Sequence, residues 1–166
     1  MMSVSTGAEP GLLQREVAPS IRLLLESAMK NYANREISET LLKKAFDTDP
    51  SVLDTYVVYY KYYFYHSLLT KAEQWVYLAL ENASSQGEFD SDWDSLIPTS
   101  ANWDVLDGPE RIYLYSLKAL AFLRMKQGDF ELPAEVLNKL EILDPQDQVG
   151  WTVVAQMHSR LCENNE

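Results

Sequence analysis

Two histidines, one cysteine and many carboxylates are the side chains of this sequence that could carry out covalent or acid–base chemistry. His66 and His158 lie far apart, and no Cys or His pair has the spacing of a zinc site. Cys162 lies near the end of the chain, and we predict no imidazole placed to activate its thiol. A glycine-rich phosphate loop is also missing. We therefore expect no catalytic residues, no metal site and no cofactor.

The densest group of carboxylates lies between residues 86 and 110. This stretch has no Lys or Arg and seven acidic residues: Glu88, Asp90, Asp92, Asp94, Asp104, Asp107 and Glu110. It begins like a calcium loop, but Ser95 stands at the sixth position, which needs glycine, and Ala101 at the twelfth, which needs glutamate. An EF-hand is therefore excluded.

The same stretch also contains large apolar side chains, including two tryptophans. Leaving such rings in water is costly, so we predict that the stretch packs although its acidity is typical of disorder. We expect it to pack mostly against the outer edges of the second and third of the helical pairs predicted below. The alternative is that its tryptophans cover a binding groove as a lid or mimic a ligand.

Composition narrows the function further. The net charge of −11 argues against binding to nucleic-acid phosphates and to anionic membranes. The 166 residues can form one domain with its own core, and we see neither a leader pattern nor an apolar run near the ~18 residues of a membrane span. A single cysteine requires no oxidising compartment, so we expect a cytoplasmic protein.

The elements that position these side chains are organised around an aromatic run over residues 54–66. Although tyrosine and valine favour strands, the tyrosines recur at helical spacing and predict a helix: Tyr56, Tyr59, Tyr60 and Tyr63. A second helical pattern follows over 71–81, so the two form a pair. Further helices are predicted at 10–17, 21–32 and 37–46.

The helical pattern repeats with a period of thirty-four residues, at which Leu42 and Ala45 recur as Val76 and Ala79. A second set recurs ninety-five residues on, which is two periods plus about twenty-seven residues: Ala33, Leu42 and Pro50 correspond to Gly128, Leu137 and Pro145. We therefore predict three helical pairs with an insert before the third.

A helix–turn–helix unit of this length resembles the tetratricopeptide repeat. The third unit matches best, through 117–121, Gly128-Asp129-Phe130 and Asp144-Pro145. The resemblance implies an all-α fold, a right-handed superhelix of antiparallel helix pairs, here with one long acidic and aromatic insert. The predicted parts are a tail with a short helix (1–18) and a repeat domain (19–162) that comprises repeats at about 19–52, 53–85 and 112–147, an insert at about 86–111 and a capping helix at 148–161.

One residue departs from the repeat pattern, which prefers a small residue where Pro133 stands. Inside a helix a proline costs about 3 kcal/mol or more, whereas the first helical position accommodates it. We therefore predict that this helix begins at or near Pro133. We also predict that Asp107 caps the helix that follows the insert, with Glu110 three residues later.

The resemblance implies that the first helix of each unit lines a concave groove that binds a partner. The matching residues are Leu23, Val57, Val58, Lys61, Phe64, Tyr65, Tyr115, Lys118, Phe122 and Met125. Relatives that clamp a chaperone's C-terminal carboxylate use Lys and Asn at these positions, so two lysines without asparagines exclude that ligand. An apolar, aromatic lining favours an extended peptide or a partner helix. Alternatively, these rings pack on the insert or on another copy.

We therefore expect an intracellular protein-interaction module, a scaffold or chaperone-like protein, that binds a peptide or helix of another protein. One alternative is a secretion chaperone, because small acidic proteins with three such repeats and an N-terminal helical extension are similar to the translocator chaperones of type III secretion. The other is a structural subunit whose aromatic residues are permanently buried in an assembly. The sequence leaves the oligomeric state open.

Overall fold

The structure, a computed structural model, describes residues 16–164, and every regular element in that range is helical. It contains seven α-helices: α1 (Pro19–Lys30), α2 (Arg35–Thr48), α3 (Leu53–Tyr65), α4 (Leu69–Gly87), α5 (Pro109–Lys126), α6 (Glu131–Leu143) and α7 (Trp151–Asn164). Two 3₁₀ turns, Trp93–Ser95 and Pro98–Ser100, lie between α4 and α5. The all-α class is confirmed. The short helix predicted at 10–17 lies almost entirely outside the described residues.

Several helix ends follow from local sequence. Pro19 occupies the first turn of α1, where its fixed φ and missing N–H are accommodated. The Asn34 side chain accepts a hydrogen bond from the Ile37 N–H at 3.2 Å and so caps α2. The predicted cap of α5 was wrong by one residue, because Pro109 takes the first helical position and Gly108 becomes the cap. Its φ of +101° suits glycine and strains other residues.

The start of α6 lies two residues before Pro133. The Asp129 carboxylate accepts hydrogen bonds from the Glu131 and Leu132 N–H groups at 3.1 and 3.4 Å and fixes the start at Glu131. The missing N–H of Pro133 costs little there, because the first four N–H groups of a helix lack intrahelical acceptors. Desolvation by burial raises the pKa of the Asp129 carboxyl. The hydrogen bonds from Arg124, Leu132 and Glu131 lower it by more, so the pKa lies below its usual value.

The chain divides into two compact units, which are larger than the predicted repeats. The division lies within α4, between Trp75 and Val76, and from here on the first and second units are these two parts of the chain. In the first unit α1 packs on α2, and α3 packs against both. Its apolar core combines small and large side chains: Ile21, Leu25, Ala28, Leu42, Ala45 and Leu53. In the second unit α5 packs on α6, and α7 packs against both. Buried side chains of this unit include Ile112, Leu117, Leu120, Val136 and Leu140.

The aromatic run forms α3, so the predicted helix is confirmed. Trp75 stacks on Tyr59 with ring centroids 3.8 Å apart and an interplanar angle of 10°. Phe46 and Tyr56 meet the same indole ring, each at a centroid distance of 5.7 Å. Offset and edge contacts of this kind are favourable beyond the apolar area that they bury. The rings thereby connect α2, α3 and the first turns of α4.

A buried carboxylate organises the turn from α6 to α7. The Asp144 side chain accepts hydrogen bonds from the N–H groups of Gln148 and Val149 at 2.9 and 3.1 Å. The Trp151 indole N–H donates to the Asp144 carbonyl oxygen at 2.7 Å. These three bonds keep residues 148–150 out of the helix, so α7 begins at Trp151, three residues later than the predicted 148.

Candidate interaction surfaces

The predicted partner-binding residues of the first unit differ in accessibility. Leu23 and Tyr65 are 66% and 61% exposed, and Phe64 is exposed to a lesser degree. Val57 and Val58 are each only 1% exposed, so a partner cannot reach them in this conformation. The reason is that α3 is apolar on nearly every face, which is typical of a buried helix. That the accessible residues bind a partner stays a prediction.

Other aromatic side chains contact the exposed end of α3. We define the α3-end patch as Phe64 and Tyr65. The Tyr65 ring lies 5.5 Å from Tyr32 and 5.6 Å from His66, between centroids. His66 Nε2 lies 2.6 Å from the Tyr32 carbonyl oxygen, and because a carbonyl can only accept, Nε2 carries the hydrogen. These contacts hold Tyr65 in place while most of its ring stays accessible.

These aromatic contacts continue into the core. Tyr62 is fully buried, and its ring makes an edge contact with the Tyr32 ring at a centroid distance of 5.8 Å. Its hydroxyl donates a hydrogen bond to the Glu39 carboxylate at 3.0 Å. Burial raises the pKa of Tyr62, so the hydroxyl remains a donor over a wider pH range than in water. The patch is therefore backed by a fixed network rather than by loose side chains.

The predicted residues of the second unit lie on α5. Met125 is buried, whereas Tyr115, Lys118 and Phe122 are partly exposed. The Lys118 ammonium donates to the Val149 carbonyl oxygen at 2.7 Å and lies 4.3 Å from the centre of the Tyr115 ring. Lys118 therefore joins α5 to the turn before α7, a structural role that the sequence did not reveal. Its predicted contact with a partner stays untested.

The insert packs, as predicted, on helices of the second unit. Leu96 and Trp103 are buried, and Phe89 contacts the Trp103 and Tyr113 rings at 5.0 Å. The Tyr113 hydroxyl donates to the Ser91 carbonyl oxygen at 2.8 Å. Burial and the nearby carboxylates of Asp92 and Asp90 raise the pKa of this hydroxyl, which keeps it protonated.

Three further hydrogen bonds fix the insert backbone. Lys139 of α6 donates to the carbonyl oxygens of Asp94 and Leu96 at 3.1 and 2.7 Å. The Trp103 indole N–H donates to the Ile97 carbonyl oxygen at 3.1 Å, which closes the insert on itself. The insert is thus a folded layer with a defined outer face.

That outer face is acidic and carries two exposed aliphatic residues. Ile97 is 54% and Leu106 is 59% exposed. Sequence reasoning missed them because it assigned all large apolar residues of the insert to packing. A signal was present, since Pro98 follows the first and Asp107-Gly108 the second, and residues beside such turns tend to lie at the surface.

The surroundings of the Cys162 thiol include one neighbour that the sequence analysis did not name. Cys162 does have an imidazole beside it, because His158 lies one turn earlier on α7, with its Nε2 and Nδ1 atoms 3.7 and 3.9 Å from the Cys162 sulfur. The i, i+4 spacing predicts this contact. The sulfur is almost equidistant from both nitrogens, so it does not lie along the lone pair of either one, and His158 Nε2 donates to the Phe130 carbonyl oxygen at 2.8 Å. The geometry does not resemble an activated thiol.

Within residues 16–164 no group of three or more His, Cys, Asp or Glu side chains could hold a metal ion. Over the same residues, none of the helices is long and apolar enough to cross a membrane. No protein-family model, curated protein or solved structure matches this chain.

Proposed function

We propose that this chain is a protein-interaction module made of helix pairs like those of the tetratricopeptide repeat, and that it binds a peptide or helix of another protein. The order of the helices supports the repeat, since α1 with α2, α3 with α4 and α5 with α6 follow the three predicted units. The positions that recur at thirty-four residues are all buried: Leu42, Ala45, Val76 and Ala79. The proposal includes a cytoplasmic location and no catalytic activity.

The observation that carries the proposal is the α3-end patch. Scattered exposed apolar residues are normal on protein surfaces. Here two adjacent aromatic residues are exposed, and the more exposed ring is held by Tyr32 and His66. Aromatic rings that are already ordered lose little conformational entropy on binding, which is why they are common in binding hot spots.

The test compares three forms of the full chain as baits in cytosol: the wild type, Phe64→Ser/Tyr65→Ser, and the control Ile142→Ser/Val153→Ser. The control removes two exposed aliphatic residues of the second unit. All baits must first show the same circular dichroism. We expect a protein that binds the wild type and the control but is depleted about tenfold or more from the patch variant. The interaction is then repeated with the purified partner.

Equal recovery of the same partner by the patch variant contradicts the proposal for this site. The partner also decides between the narrower functions, because a secreted translocator identifies a secretion chaperone. Sedimentation of the isolated chain tests the structural alternative. A subunit without its assembly is expected to self-associate through apolar patches, whereas a module stays monodisperse.

A further inference from the structure

The two units carry very different charges. Residues 1–75 contain eight basic and nine acidic residues, a net charge of −1, whereas residues 76–166 contain six basic and sixteen acidic residues, a net charge of −10. The insert contributes most to this difference because its acidic residues have no basic residue among them. Almost all the net charge of the chain therefore belongs to the second unit.

Within the described part of the chain, five insert carboxylates lack an ion pair with Lys or Arg: Glu88, Asp90, Asp92, Asp94 and Asp104. Lys139, the cation bonded to the insert, uses its ammonium on two backbone carbonyl oxygens. All five belong to exposed residues. Their field consequently extends into solvent.

The two exposed aliphatic residues lie among these charges. Ile97 is three residues after Asp94, and Leu106 is two residues after Asp104. The hydrogen bond from the Trp103 indole N–H to the Ile97 carbonyl oxygen closes residues 97–103 into a loop, three residues before Leu106. The layer thus combines apolar side chains with a surrounding negative charge.

A metal ion does not explain this arrangement. The carboxylates do not converge, since among residues 16–164 no three acidic, His or Cys side chains form a possible metal site. The Asp90 and Asp92 side chains instead accept hydrogen bonds from the N–H groups of Asp92 and Asp94, at 2.9 and 3.1 Å. These bonds hold each carboxylate beside the backbone two residues further along, so the two charges are not directed at one point.

We propose that the outer face of the insert docks a basic amphipathic segment of a partner protein, with its aliphatic side chains on Ile97 and Leu106 and its lysines or arginines opposite the carboxylates. Charge complementarity selects this occupant. A second copy of the chain is disfavoured, because two units of charge −10 repel each other. This surface shares no residue with the α3-end patch, so either proposal can fail alone.

The layer is ready to bind without refolding. Buried Leu96 and Trp103, the Tyr113 hydroxyl and the Lys139 ammonium all hold its inner side. A partner segment therefore meets a surface whose backbone is already ordered, which reduces the entropic cost of binding.

The probe is a fluorescent helical peptide of about 18 residues with leucine at i, i+3, i+4 and i+7 spacing and lysine elsewhere, titrated with the full chain. Two control peptides replace every lysine by glutamate or every leucine by serine. We expect saturable binding of the first peptide alone. Because the Debye length falls from ~10 Å at 0.1 M salt to ~3 Å at 1 M, its affinity should fall about tenfold or more over that range.

Two protein variants locate the peptide. Asp90→Asn, Asp92→Asn, Asp94→Asn and Asp104→Asn together remove four charges but keep the side-chain oxygens that accept the turn bonds. The matched control removes four exposed carboxylates elsewhere in the unit: Glu131→Gln, Glu135→Gln, Glu141→Gln and Glu163→Gln. We expect the insert variant to bind the peptide about tenfold more weakly. The control variant should lose less than half as much binding free energy.

A third variant, Ile97→Ser/Leu106→Ser, tests the apolar contacts and should weaken binding about tenfold. Equal weakening by the insert and control charge variants would show a diffuse field of the whole unit and overturn the proposal. Binding of the serine peptide as tight as that of the leucine peptide would overturn it as well. The proposal is also overturned if the leucine peptide does not bind. It is overturned as well by calcium binding in calorimetry that the insert variant abolishes, or by a dimer in sedimentation that the Ile97→Ser/Leu106→Ser variant disrupts.

Discussion

Tyr59 shows how much one side chain of the aromatic run depends on its surroundings. Its ring stacks with Trp75 at a centroid distance of 3.8 Å and with Tyr63 at 6.1 Å. Burial raises the pKa of its hydroxyl to about 12, and the charges of Tyr63, Asp47 and Glu39 act in the same direction. The ionised form of Tyr59 is therefore unfavourable in the folded chain.

The raised pKa predicts a loss of stability in alkali. In the unfolded chain a tyrosine ionises near pH 10, whereas folded Tyr59 keeps its proton up to about pH 12. Its contribution is fully present below pH 10 and is lost as the pH rises to 12, because the unfolded state then binds fewer protons. We expect a contribution on the order of 2 kcal/mol, measured by urea unfolding at pH 9 to 12.

Tyr59→Phe should lose less stability over that interval than the wild type. Tyr65→Phe, which removes an exposed hydroxyl, is the matched control and should follow the wild type. Identical slopes for Tyr59→Phe and wild type would show that Tyr59 does not cause the loss.

Residue types and spacing predicted some local features and not others. The spacing of Tyr56, Tyr59 and Tyr63 gave the correct helix because the period of a helix is visible in sequence. The burial of Val57 and Val58 could not be read from that period, since it depends on which elements cover the other faces of α3. The contact of Cys162 with His158 was readable from an i, i+4 spacing and was overlooked.

At the scale of elements, the insert depends on one cation. Lys139 projects from α6, and its ammonium bonds the carbonyl oxygens of Asp94 and Leu96. Both oxygens belong to the 3₁₀ turn Trp93–Ser95 or to its end. That turn contacts α6, so the lysine connects the first of the two 3₁₀ turns of the insert to this helix.

Lys139→Met keeps most of the aliphatic stem and removes the ammonium. We expect a loss of about 1–2 kcal/mol in the free energy of unfolding, because two hydrogen bonds from a charged donor disappear. Hydrogen exchange should accelerate at residues 93–97 in particular. The control Lys44→Met removes an exposed lysine from α2 and should change neither measurement. Unchanged exchange in Lys139→Met would contradict the anchoring role.

The lengths of elements were harder to predict than their existence. The pattern indicated a helix over 71–81, but α4 extends to Gly87. Ser84 is buried there and its hydroxyl bonds the Glu81 carbonyl oxygen at 2.9 Å, so tertiary packing overrides the weak helix preference of serine. At α6, the hydrogen bonds of Asp129 decide the first residue, and the presence of Pro133 only limits it to the first turn.

At the scale of the whole molecule, the chain forms two compact units, and their border lies within α4. Sequence periodicity describes how each pair resembles the next and carries no information on where contacts become sparse. The predicted boundaries of the repeats themselves stay predictions. The sequence already located seven acidic residues in the insert, and the division into units assigns nearly all of the net charge to the second unit.

Because α4 is one helix that belongs to both units, the protein cannot be dissected cleanly at their border. A fragment that ends at Trp75 keeps only seven residues of α4, which is about two turns. A helix of that length is not stable on its own. A fragment that ends at Gly87 instead uncovers Val76, Ala79 and Ala83, which are buried in the intact chain. We expect the first fragment to lose the Trp75 fluorescence of the folded state and the second to aggregate. We therefore expect a gene truncated at either point to produce a chain that does not fold as the first unit does in the intact protein.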